Sequence, residues 1–484
     1  MKYLKLIFIS ILLISILSVS AYADTSLPYS NYTYSEKGSK VVLGPQAYVP
    51  DAVIYGETLG TTGMIEPTDV ATDELNLIYV LDAGNSRILI LNEDYTLKTE
   101  FTGFLNQGVQ DNFKGAKGFY VDDAYIYIAD TANQRIVIID KFTYTLTKVV
   151  GAPKSSMLAE DFVFKPISVA VDIDRLLYVI GEGTYEGIIT MDWDSEFAGF
   201  IGTNNVAPSL WEIFWMQFLS EKAREGRVQF IPQDFSGMDV DDEGFFYVTT
   251  YSKQNNKMVK RLNPGGNDVI SSLSAVNIAG DPLAVAKGAL KGSSSFYDVT
   301  AGPDGLYACI DFTRGKVFVY NEDGFLLYTF GSRSNQDGGF SGPEALVWLN
   351  GMKIAVIDSQ RNSLTVFAPT DYAVAIHEGV AAQAELDYNL AFEKWQKVLE
   401  LNSGFEMAHI QSGKVYHNLG NYEQAMEEFK LGNNKELYSK SLAKKRALWI
   451  ENNITIIFIV AIVAVCALFI TSFIKKIKAK RKEG

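Results

Sequence analysis

Histidine and cysteine are scarce in this chain of 484 residues. Its three histidines, His377, His409 and His417, all lie after residue 370. Histidine is the usual general base near neutral pH and a frequent zinc ligand, so a Ser-His-Asp triad and a histidine-bound metal are excluded from the first 370 residues. The two cysteines are Cys309 and Cys466, and the second lies in a long apolar run, so we expect no intramolecular disulfide.

Positive charge is also scarce, except at the two ends of the chain. The formal net charge is −14. Two lysines lie near the N-terminus and the last ten residues carry a net charge of +5, which leaves −21 for the stretch between them. An acidic body of that size repels phosphate backbones, so the sequence predicts no nucleic-acid partner.

Residues 1–23 have the features of a secretory signal. Two lysines precede an apolar run over residues 6–19, and small residues stand before a predicted cleavage site between Ala23 and Asp24. The alternative is an uncleaved signal anchor, which would export the same downstream residues. With either interpretation, the bulk of the chain is predicted to be extracytoplasmic.

A second apolar run lies near the C-terminus. Residues 454–474 carry no charge, and a helix of this length spans roughly 31 Å, the thickness of a bilayer core. We therefore predict one transmembrane helix at 452–474 and a basic cytoplasmic tail at 475–484. A buried core helix is the alternative, which the lack of charge disfavours. Four cations before the run oppose the predicted orientation, which therefore depends on the export signal: Lys440, Lys444, Lys445 and Arg446.

A repeat of about 50 residues occupies the middle of the chain. Residues 82–88 (Asp-Ala-Gly-Asn-Ser-Arg-Ile) return 48 positions later as residues 130–136 (Asp-Thr-Ala-Asn-Gln-Arg-Ile). Short β-rich runs alternate with Asp, Asn and Gly turn residues in each copy. Four short strands cannot bury both of their faces alone, so we predict that the units pack radially. Four further copies begin near Pro166, Met238, Tyr297 and Pro343.

The repeated turns resemble the signature of NHL-repeat β-propellers. This resemblance implies a mainly β fold, a six-bladed propeller over residues 45–370 with one copy per blade. The strand at residues 47–55 precedes the first copy and is predicted to complete the last blade and close the ring. Arg87 and Arg135 are each predicted to pair with the aspartate of their own turn. Copies three and four depart from the signature because they lack that aspartate.

An insertion at residues 204–232 interrupts the fourth copy. Trp211, Trp215 and Phe218 recur there at helical spacing. One interpretation is a helix that caps a face of the propeller. The other is a ligand lid or a docking helix, in which these three aromatic residues would contact a partner.

Helix-forming residues replace the β pattern after residue 370. The period of 34 residues resembles tetratricopeptide repeats, with two units over 372–405 and 406–439 in a helical region at 371–445. Such arrays usually need at least three units, so the pair is expected to lean on the propeller or on a partner. A spacer and a docking platform fit the sequence equally well. Four positions recur: Gly379, Tyr388, Ala391 and Trp395 return as Gly413, Tyr422, Ala425 and Phe429.

Carboxylates supply the candidate chemistry of the propeller. Residues 239–244 are similar to a calcium loop, but Thr250 stands in the place of the bidentate glutamate, so a strand-to-strand turn is predicted. Lactonase propellers of the gluconolactonase type, a distant cousin architecture, bind a divalent cation at the ring's centre. The candidate ligands for Ca²⁺ or another divalent cation lie where channel-mouth residues arise, and their alternative role is to close turns or bond strand edges: Glu66, Asp69, Asp298 and Glu344.

Three functions remain compatible with these patterns. The first is a non-catalytic binding or scaffold module for a protein or glycan partner at the cell surface, with no catalytic residue and no cofactor. The second is a divalent-metal-dependent, lactonase-like hydrolase with carboxylates at the propeller centre. The third is an accessory subunit of a membrane transport or cell-envelope complex. The lack of propeller histidines favours the first.

Overall fold

A computed structural model describes most of the chain: residues 27–35, 40–155, 158, 162–202, 235–250, 258–270, 280–281 and 294–480. Two predicted features lie outside the described residues: the signal segment 1–23 with its cleavage site at Ala23 and Asp24, and the insertion 204–232 with Trp211, Trp215 and Phe218.

Strands that follow one another in the chain form each sheet of the propeller. β1 (Asn31–Tyr34) and β2 (Val41–Gly44) pair before the ring, and β3 (Tyr48–Tyr55) follows them. Blade 1 contains β4 (Pro67–Thr72), β5 (Ile78–Asp82), β6 (Arg87–Leu91) and β7 (Leu97–Phe101). A hairpin of β8 (Phe104–Asn106) and β9 (Val109–Asp111) leads to blade 2, with β10 (Gly118–Val121), β11 (Tyr125–Asp130), β12 (Arg135–Asp140) and β13 (Leu146–Val150). Blade 3 contains β14 (Pro166–Val171), β15 (Leu177–Gly181), β16 (Ile188–Met191) and β17 (Phe197–Ile201).

The second half of the ring repeats this plan. Blade 4 has three strands among the described residues: β18 (Phe235–Val240), β19 (Phe246–Thr250) and β20 (Val259–Leu262). Blade 5 contains β21 (Phe296–Ala301), β22 (Tyr307–Asp311), β23 (Lys316–Tyr320) and β24 (Leu326–Phe330). After the short parallel pair β25 (Ser332–Arg333) and β26 (Gly339–Phe340), blade 6 contains β27 (Pro343–Leu349), β28 (Lys353–Asp358), β29 (Ser363–Pro369) and β3. The predicted six-bladed propeller is confirmed.

The N-terminal strand β3 closes the ring. It pairs antiparallel with β29, so that Ile54 lies opposite Leu364 and Val53 lies opposite Thr365. The innermost strands β27 and β4 then pack against each other, which brings the sixth blade onto the first. The predicted closing strand is confirmed, and the two ends of the propeller sequence are held in one sheet.

Burial on both faces explains the continuous apolar runs of the middle strands. All five residues of β5 and all five of β6 are buried, including the run from Ile88 to Leu91. The hydrophobic clusters lie between neighbouring blades, as where Leu81 and Ile90 of blade 1 pack with Phe119 and Ile128 of blade 2. A sheet covered on both faces has no solvent side to require polar alternation, so β-branched and aromatic residues fill it.

The signature turn ties blades 1 and 2 to the chain that enters them. Arg87 Nε donates to Asp82 Oδ2 at 2.7 Å, and Asn85 Nδ2 donates to the same oxygen at 2.8 Å. Asp82 Oδ1 accepts from the N–H of Ile65 at 2.8 Å, which fixes the segment before β4. Blade 2 repeats the arginine–aspartate pair at 2.7 Å. The predicted pairs are confirmed, and their burial shows that the motif is part of the scaffold.

Blades 3 and 4 form without the aspartate. Gly181 and Thr250 occupy its place at the ends of β15 and β19. The backbone closes the turns instead: the N–H of Thr184 donates to Gly181 O at 3.1 Å, and the N–H of Thr250 donates to Met258 O at 3.0 Å. Apolar burial between blades therefore suffices to keep a repeat that has lost its signature.

Two helical hairpins follow the propeller. They are α1 (Asp371–Ala384) with α2 (Tyr388–Leu401), and α3 (Glu406–Asn418) with α4 (Tyr422–Leu431). In both, a glycine lies against the aromatic ring of the partner helix. A Cβ atom on Gly379 would approach the ring of Trp395 to 2.9 Å, and one on Gly413 would approach the ring of Phe429 to 2.6 Å. The 34-residue period therefore marks a repeated close contact between paired helices.

The helical hairpins pack on the propeller. One hydrophobic cluster runs from Tyr48 and Trp348 of blade 6 to Trp395 of α2. At its centre a hydrogen bond joins Nε2 of His377 in α1 to the hydroxyl of Tyr328 in β24. Burial lowers the pKa of His377 to about 3, so the imidazole is neutral at physiological pH. The propeller supplies the support that two repeats were expected to need.

A single long helix ends the described chain. α5 (Lys435–Lys480) packs on the hairpins through its first turns, where Nδ1 of His417 and Oγ of Ser441 lie 2.8 Å apart. From Ala443 onward almost all of its residues are exposed. By its length and composition, α5 can cross a membrane, and it contains the predicted transmembrane segment 452–474.

Candidate functional site at the propeller centre

The first strands of the blades bring three aspartates together near the propeller axis. Asp69 lies in β4, Asp239 in β18 and Asp298 in β21. Protein surrounds all three, yet each keeps some accessible surface, as expected for side chains that line a narrow channel. They are close enough for the charge of each to act on the others.

Asp69 and Asp298 each connect two neighbouring blades. Asp69 Oδ1 accepts from the N–H of Val70 at 2.8 Å, and its Oδ2 accepts from the N–H of Phe119 in blade 2, also at 2.8 Å. Asp298 Oδ2 accepts from the N–H of Leu346 in blade 6 at 3.2 Å. These carboxylates satisfy backbone donors that inner strands otherwise leave unpaired, which is the strand-edge role expected as the alternative to metal binding.

Asp239 belongs to the same group, although the sequence placed it in a turn. Its Oδ2 accepts from the N–H of Ala301 at 2.8 Å and from Oγ1 of Thr300 at 3.1 Å, both in blade 5. The predicted turn is present, but it begins at Asp241, whose carbonyl accepts from the N–H of Gly244 at 2.9 Å. Asp239 is still within β18, so the strand carries it to the channel.

The electrostatics of the channel favour neutral carboxyl groups. Burial is the largest cause that raises the pKa of Asp69, Asp239 and Asp298. The neighbouring carboxylates raise the pKa of Asp298 further, while backbone N–H groups act in the opposite direction. A group of this kind can share protons or attract a cation, because three negative charges in one confined space repel each other.

The two predicted glutamates lie at the rim and not in the channel. Glu66 is exposed, and its N–H donates to Oδ1 of Asn362 at 2.9 Å. Glu344 is half-buried and accepts from Oγ of Ser359 at 2.9 Å. Burial raises the pKa of Glu344, and the charge of Lys117 opposes that change. Among the residues that the structure describes, no group of three or more His, Cys, Asp or Glu side chains is arranged to hold a metal ion.

The rim combines charges of both signs with an aromatic platform, which the sequence did not reveal. Lys117, directly before β10, pairs with Glu182 at 2.9 Å. Tyr297, at the start of β21, stacks on Phe312 with ring centroids 4.5 Å apart. The guanidinium of Arg333 lies 5.2 Å from the centroid of the Phe312 ring. Both rings are half-buried, and aromatic rings with charged neighbours are typical of surfaces that recognise polar ligands.

Known structures of similar fold are distant. Virginiamycin B lyase from Staphylococcus aureus is similar over 66% of this chain and 98% of its own, with 9% identity and a TM-score of 0.40. For hydrazine synthase from Kuenenia stuttgartiensis the shares are 63% and 96%, with 11% identity and a TM-score of 0.40. A protein of unknown function from Bacteroides thetaiotaomicron is similar over 70% and 76%, with 14% identity and a TM-score of 0.39. No protein-family model and no curated protein matches the sequence.

A second candidate surface lies on the helical hairpins. A cavity of about 260 Å³ opens where the ends of α1 and α3 meet the first turns of α5. Leu386, Tyr388 and Leu437 line its apolar part, and Lys414 and Lys440 bring positive charge. The helix that leaves the hairpins therefore forms one wall of this groove.

Proposed function

We propose that this chain is a membrane-anchored, extracytoplasmic propeller that acts as a non-catalytic binding or scaffold module for a protein or glycan partner. One observation carries the proposal: α5 is a single unbroken helix whose first turns pack on the hairpins and whose apolar part can cross a membrane. The hairpins in turn share a hydrophobic core with the propeller. Ring, hairpins and anchor thus form one connected unit. Such a unit presents the rim of the ring at a set distance from the membrane.

The channel supports a binding role. The carboxylate oxygens of Asp69, Asp239 and Asp298 accept hydrogen bonds from backbone N–H groups of neighbouring blades. The sequence places no histidine between residues 45 and 370, so the usual proton carrier at neutral pH is missing from the ring. The rim offers the half-buried aromatic pair of Tyr297 and Phe312 instead.

The family resemblances support the same role. The NHL signature turns and the 34-residue helical period are typical of repeat units, which build extended binding surfaces from short modules. In this proposal the propeller rim recognises the partner, and the hairpins serve as spacer or second docking surface. A partner that belongs to a transport or envelope complex would make the chain an accessory subunit.

Topology is tested first. After an alkaline carbonate wash, we expect the full-length chain to stay in the membrane fraction. Protease added to intact cells is expected to remove the propeller and to leave a fragment that contains α5. A propeller that resists protease until the cells are lysed would contradict the extracytoplasmic orientation.

Partner recognition is tested next by crosslinking on intact cells, followed by purification in detergent. The wild-type chain is expected to recover a defined protein or glycan. The variant Tyr297→Ala/Arg333→Ala, which removes part of the rim platform, is expected to recover less of it. Lys98→Gln serves as the matched control because Lys98 is exposed on the outer strand β7, away from the rim. Equal recovery by both variants would contradict a rim site.

A divalent-metal-dependent hydrolase is the second candidate, because the raised pKa values of the channel carboxyls favour binding of a proton or a cation. Calorimetric titration of the wild-type chain with Ca²⁺, Mg²⁺ and Zn²⁺ separates the two functions. Binding of one ion that disappears in Asp69→Asn and in Asp298→Asn, together with lactone hydrolysis, would replace the first proposal. The absence of any binding heat would remove the second.

A further inference from the structure

Three exposed cations surround α5 where it leaves the hairpins. We call Lys444, Lys445 and Arg446 the juxtamembrane cluster. Consecutive residues on a helix point in directions about 100° apart, so the three side chains span about 200° of the circumference. Of the described residues, none forms an ion pair with Lys444 or Arg446, and Lys445 has an exposed partner in Glu423.

The packing of α5 places this cluster next to the predicted bilayer. α5 runs antiparallel to α4, because Ser441 meets His417 at the end of α3 and Lys445 meets Glu423 at the start of α4. At about 1.5 Å per residue, Arg446 lies about 12 Å and Lys444 about 15 Å before Ile454. The polar headgroup layer is about 5–8 Å thick on each side of the hydrocarbon, so long cationic side chains at this height reach it.

The residues that follow mark a membrane interface. Trp449 is 60% exposed, and it stands between Leu448 and Ile450, which are 44% and 49% exposed. Tryptophan is enriched at the headgroup level because its ring is apolar and its N–H is polar. The stretch from Leu448 to Ile474 is about 40 Å long, which matches a bilayer with its interfaces, and its polar residues Glu451, Asn452 and Asn453 fall at the level of the headgroups, directly before the apolar run.

The negative charge of the rest of the chain explains why cations are needed next to the membrane. The body between the N-terminal segment and the tail carries a net charge of −21 with the cluster and −24 without its three cations, so an anionic membrane surface repels it. Cations on the extracytoplasmic side also oppose the usual orientation preference, which makes them costly for insertion. If these cations attract anionic lipid where the body approaches the bilayer, they offset the repulsion of the acidic body. The same attraction explains why cations stand on this side despite their cost for insertion.

We propose that the juxtamembrane cluster binds the headgroups of anionic lipids in the leaflet that faces the propeller. The inference rests on the proposed anchoring by α5 and adds a lipid partner to it. Held in this way, the hairpins stay at a constant height above the membrane, and α5 is prevented from sliding along its own axis.

The test uses the full-length chain in phosphatidylcholine bilayers that contain a trace of spin-labelled phosphatidylglycerol or spin-labelled phosphatidylcholine. The wild-type chain is expected to prefer the anionic label by at least about threefold at low salt. The preference is expected to shrink between about 0.05 and 0.5 M salt, because salt screens exposed charges. The variant Lys444→Gln/Lys445→Gln/Arg446→Gln is expected to lose a large part of it.

Three further variants show which cations produce the preference for anionic lipid. The charge-conserving variant Lys444→Arg/Lys445→Arg/Arg446→Lys is expected to keep the wild-type preference. Removal of the exposed propeller lysines Lys98, Lys114 and Lys154 is expected to have no effect. Because the basic tail faces the other leaflet, Lys475→Gln/Lys476→Gln/Lys478→Gln is expected to remove a separate part of the preference.

Two results would overturn the inference in different ways. If only the tail variant lowers the preference for phosphatidylglycerol, the juxtamembrane cluster does not bind lipid and the anchoring still stands. If the wild-type chain leaves the vesicles during an alkaline wash, the anchoring itself is wrong, and the lipid partner falls with it.

Discussion

Arg87→Met is predicted to destabilise the propeller by about 3–5 kcal/mol, because it leaves the buried carboxylate of Asp82 without its cationic partner. Arg87 is 3% exposed and Asp82 is 0% exposed in their ion pair. Without the guanidinium, the carboxylate of Asp82 keeps its hydrogen bonds from Asn85 and Ile65, but no cation offsets its negative charge. These remaining donors place the expected loss near the lower end of the range.

The other contacts of Arg87 add to the cost. Its Nη1 donates to Oε2 of Glu100 at 2.8 Å, and its Nη2 donates to the carbonyl of Thr62 at 2.6 Å. Methionine keeps most of the aliphatic length and fills much of the space. The measured loss therefore reports on charge and hydrogen bonding more than on a cavity.

Urea unfolding of the full-length chain in detergent, followed by the circular dichroism of the strands, measures the effect. Arg135→Met is the matched control in blade 2, where the guanidinium is 15% exposed, so we expect a smaller loss. Lys117→Gln breaks a surface pair that is about half exposed and should cost about 0–1 kcal/mol. Asp82→Asn combined with Arg87→Met should recover part of the loss, since no charge is then buried alone.

The reasoning is refuted if Arg87→Met costs no more than Lys117→Gln. It is also refuted if the double variant is less stable than Arg87→Met by the full cost of a second independent substitution. Either result would mean that Asp82 is not held as a buried anion by the guanidinium.

Three further predictions concern the channel and the hairpins. Burial raises the pKa of Asp298 in the folded state, so its favourable contribution is complete only below its ordinary pKa of 3.8 and is lost as the pH rises above that value. The melting temperature of Asp298→Asn relative to that of the wild type should therefore increase from pH 4 to 8, and a constant difference would contradict this. His377→Phe leaves the buried hydroxyl of Tyr328 without this partner and should cost about 1–3 kcal/mol near pH 8, seen as faster proteolysis after residue 370. Burial lowers the pKa of His377 from 6.5 to about 3, so the wild type loses stability as the pH falls below 6.5, and the cost of the substitution should shrink by about 2 kcal/mol at pH 5. A cost that stays constant between pH 5 and 8 would contradict a neutral, buried imidazole. Gly413→Val forces a Cβ against the ring of Phe429 and should cost about 1–3 kcal/mol in urea unfolding; a neutral effect would show that α3 and α4 separate easily.

The propeller could be predicted from the sequence because the patterns that define each blade are local in the chain. Each blade consists of strands that are neighbours in the chain, so the period, the turns at Asp82 and Asp130 and the closing strand are all visible as short patterns. The recurrence of Gly379 as Gly413 was visible in the sequence for the same reason, since each glycine meets its aromatic partner within one hairpin.

The channel was harder to predict because it joins blades that are far apart in the chain. Asp239 stands before a run of turn residues, and only the register of β18 against β19 shows that it is still in the strand. Glu66 and Asp69 are three positions apart, yet one lies at the rim and the other deep in the channel. Their depth depends on how β4 is inclined to the axis, which no spacing in the sequence records. The burial of His377 likewise depends on which face of α1 meets the propeller.

Because α5 is one unbroken helix, its number of residues determines how the propeller is rotated relative to the membrane anchor. Each residue added to a helix turns everything beyond it by about 100° and raises it by about 1.5 Å. One residue inserted between the hairpins and the apolar segment would therefore swing the whole propeller around the anchor while hardly changing its height. The number of residues between Ser441 and Ile454 therefore sets the rotational orientation of the propeller about the membrane normal, and so determines which side of the ring faces its neighbours on the membrane.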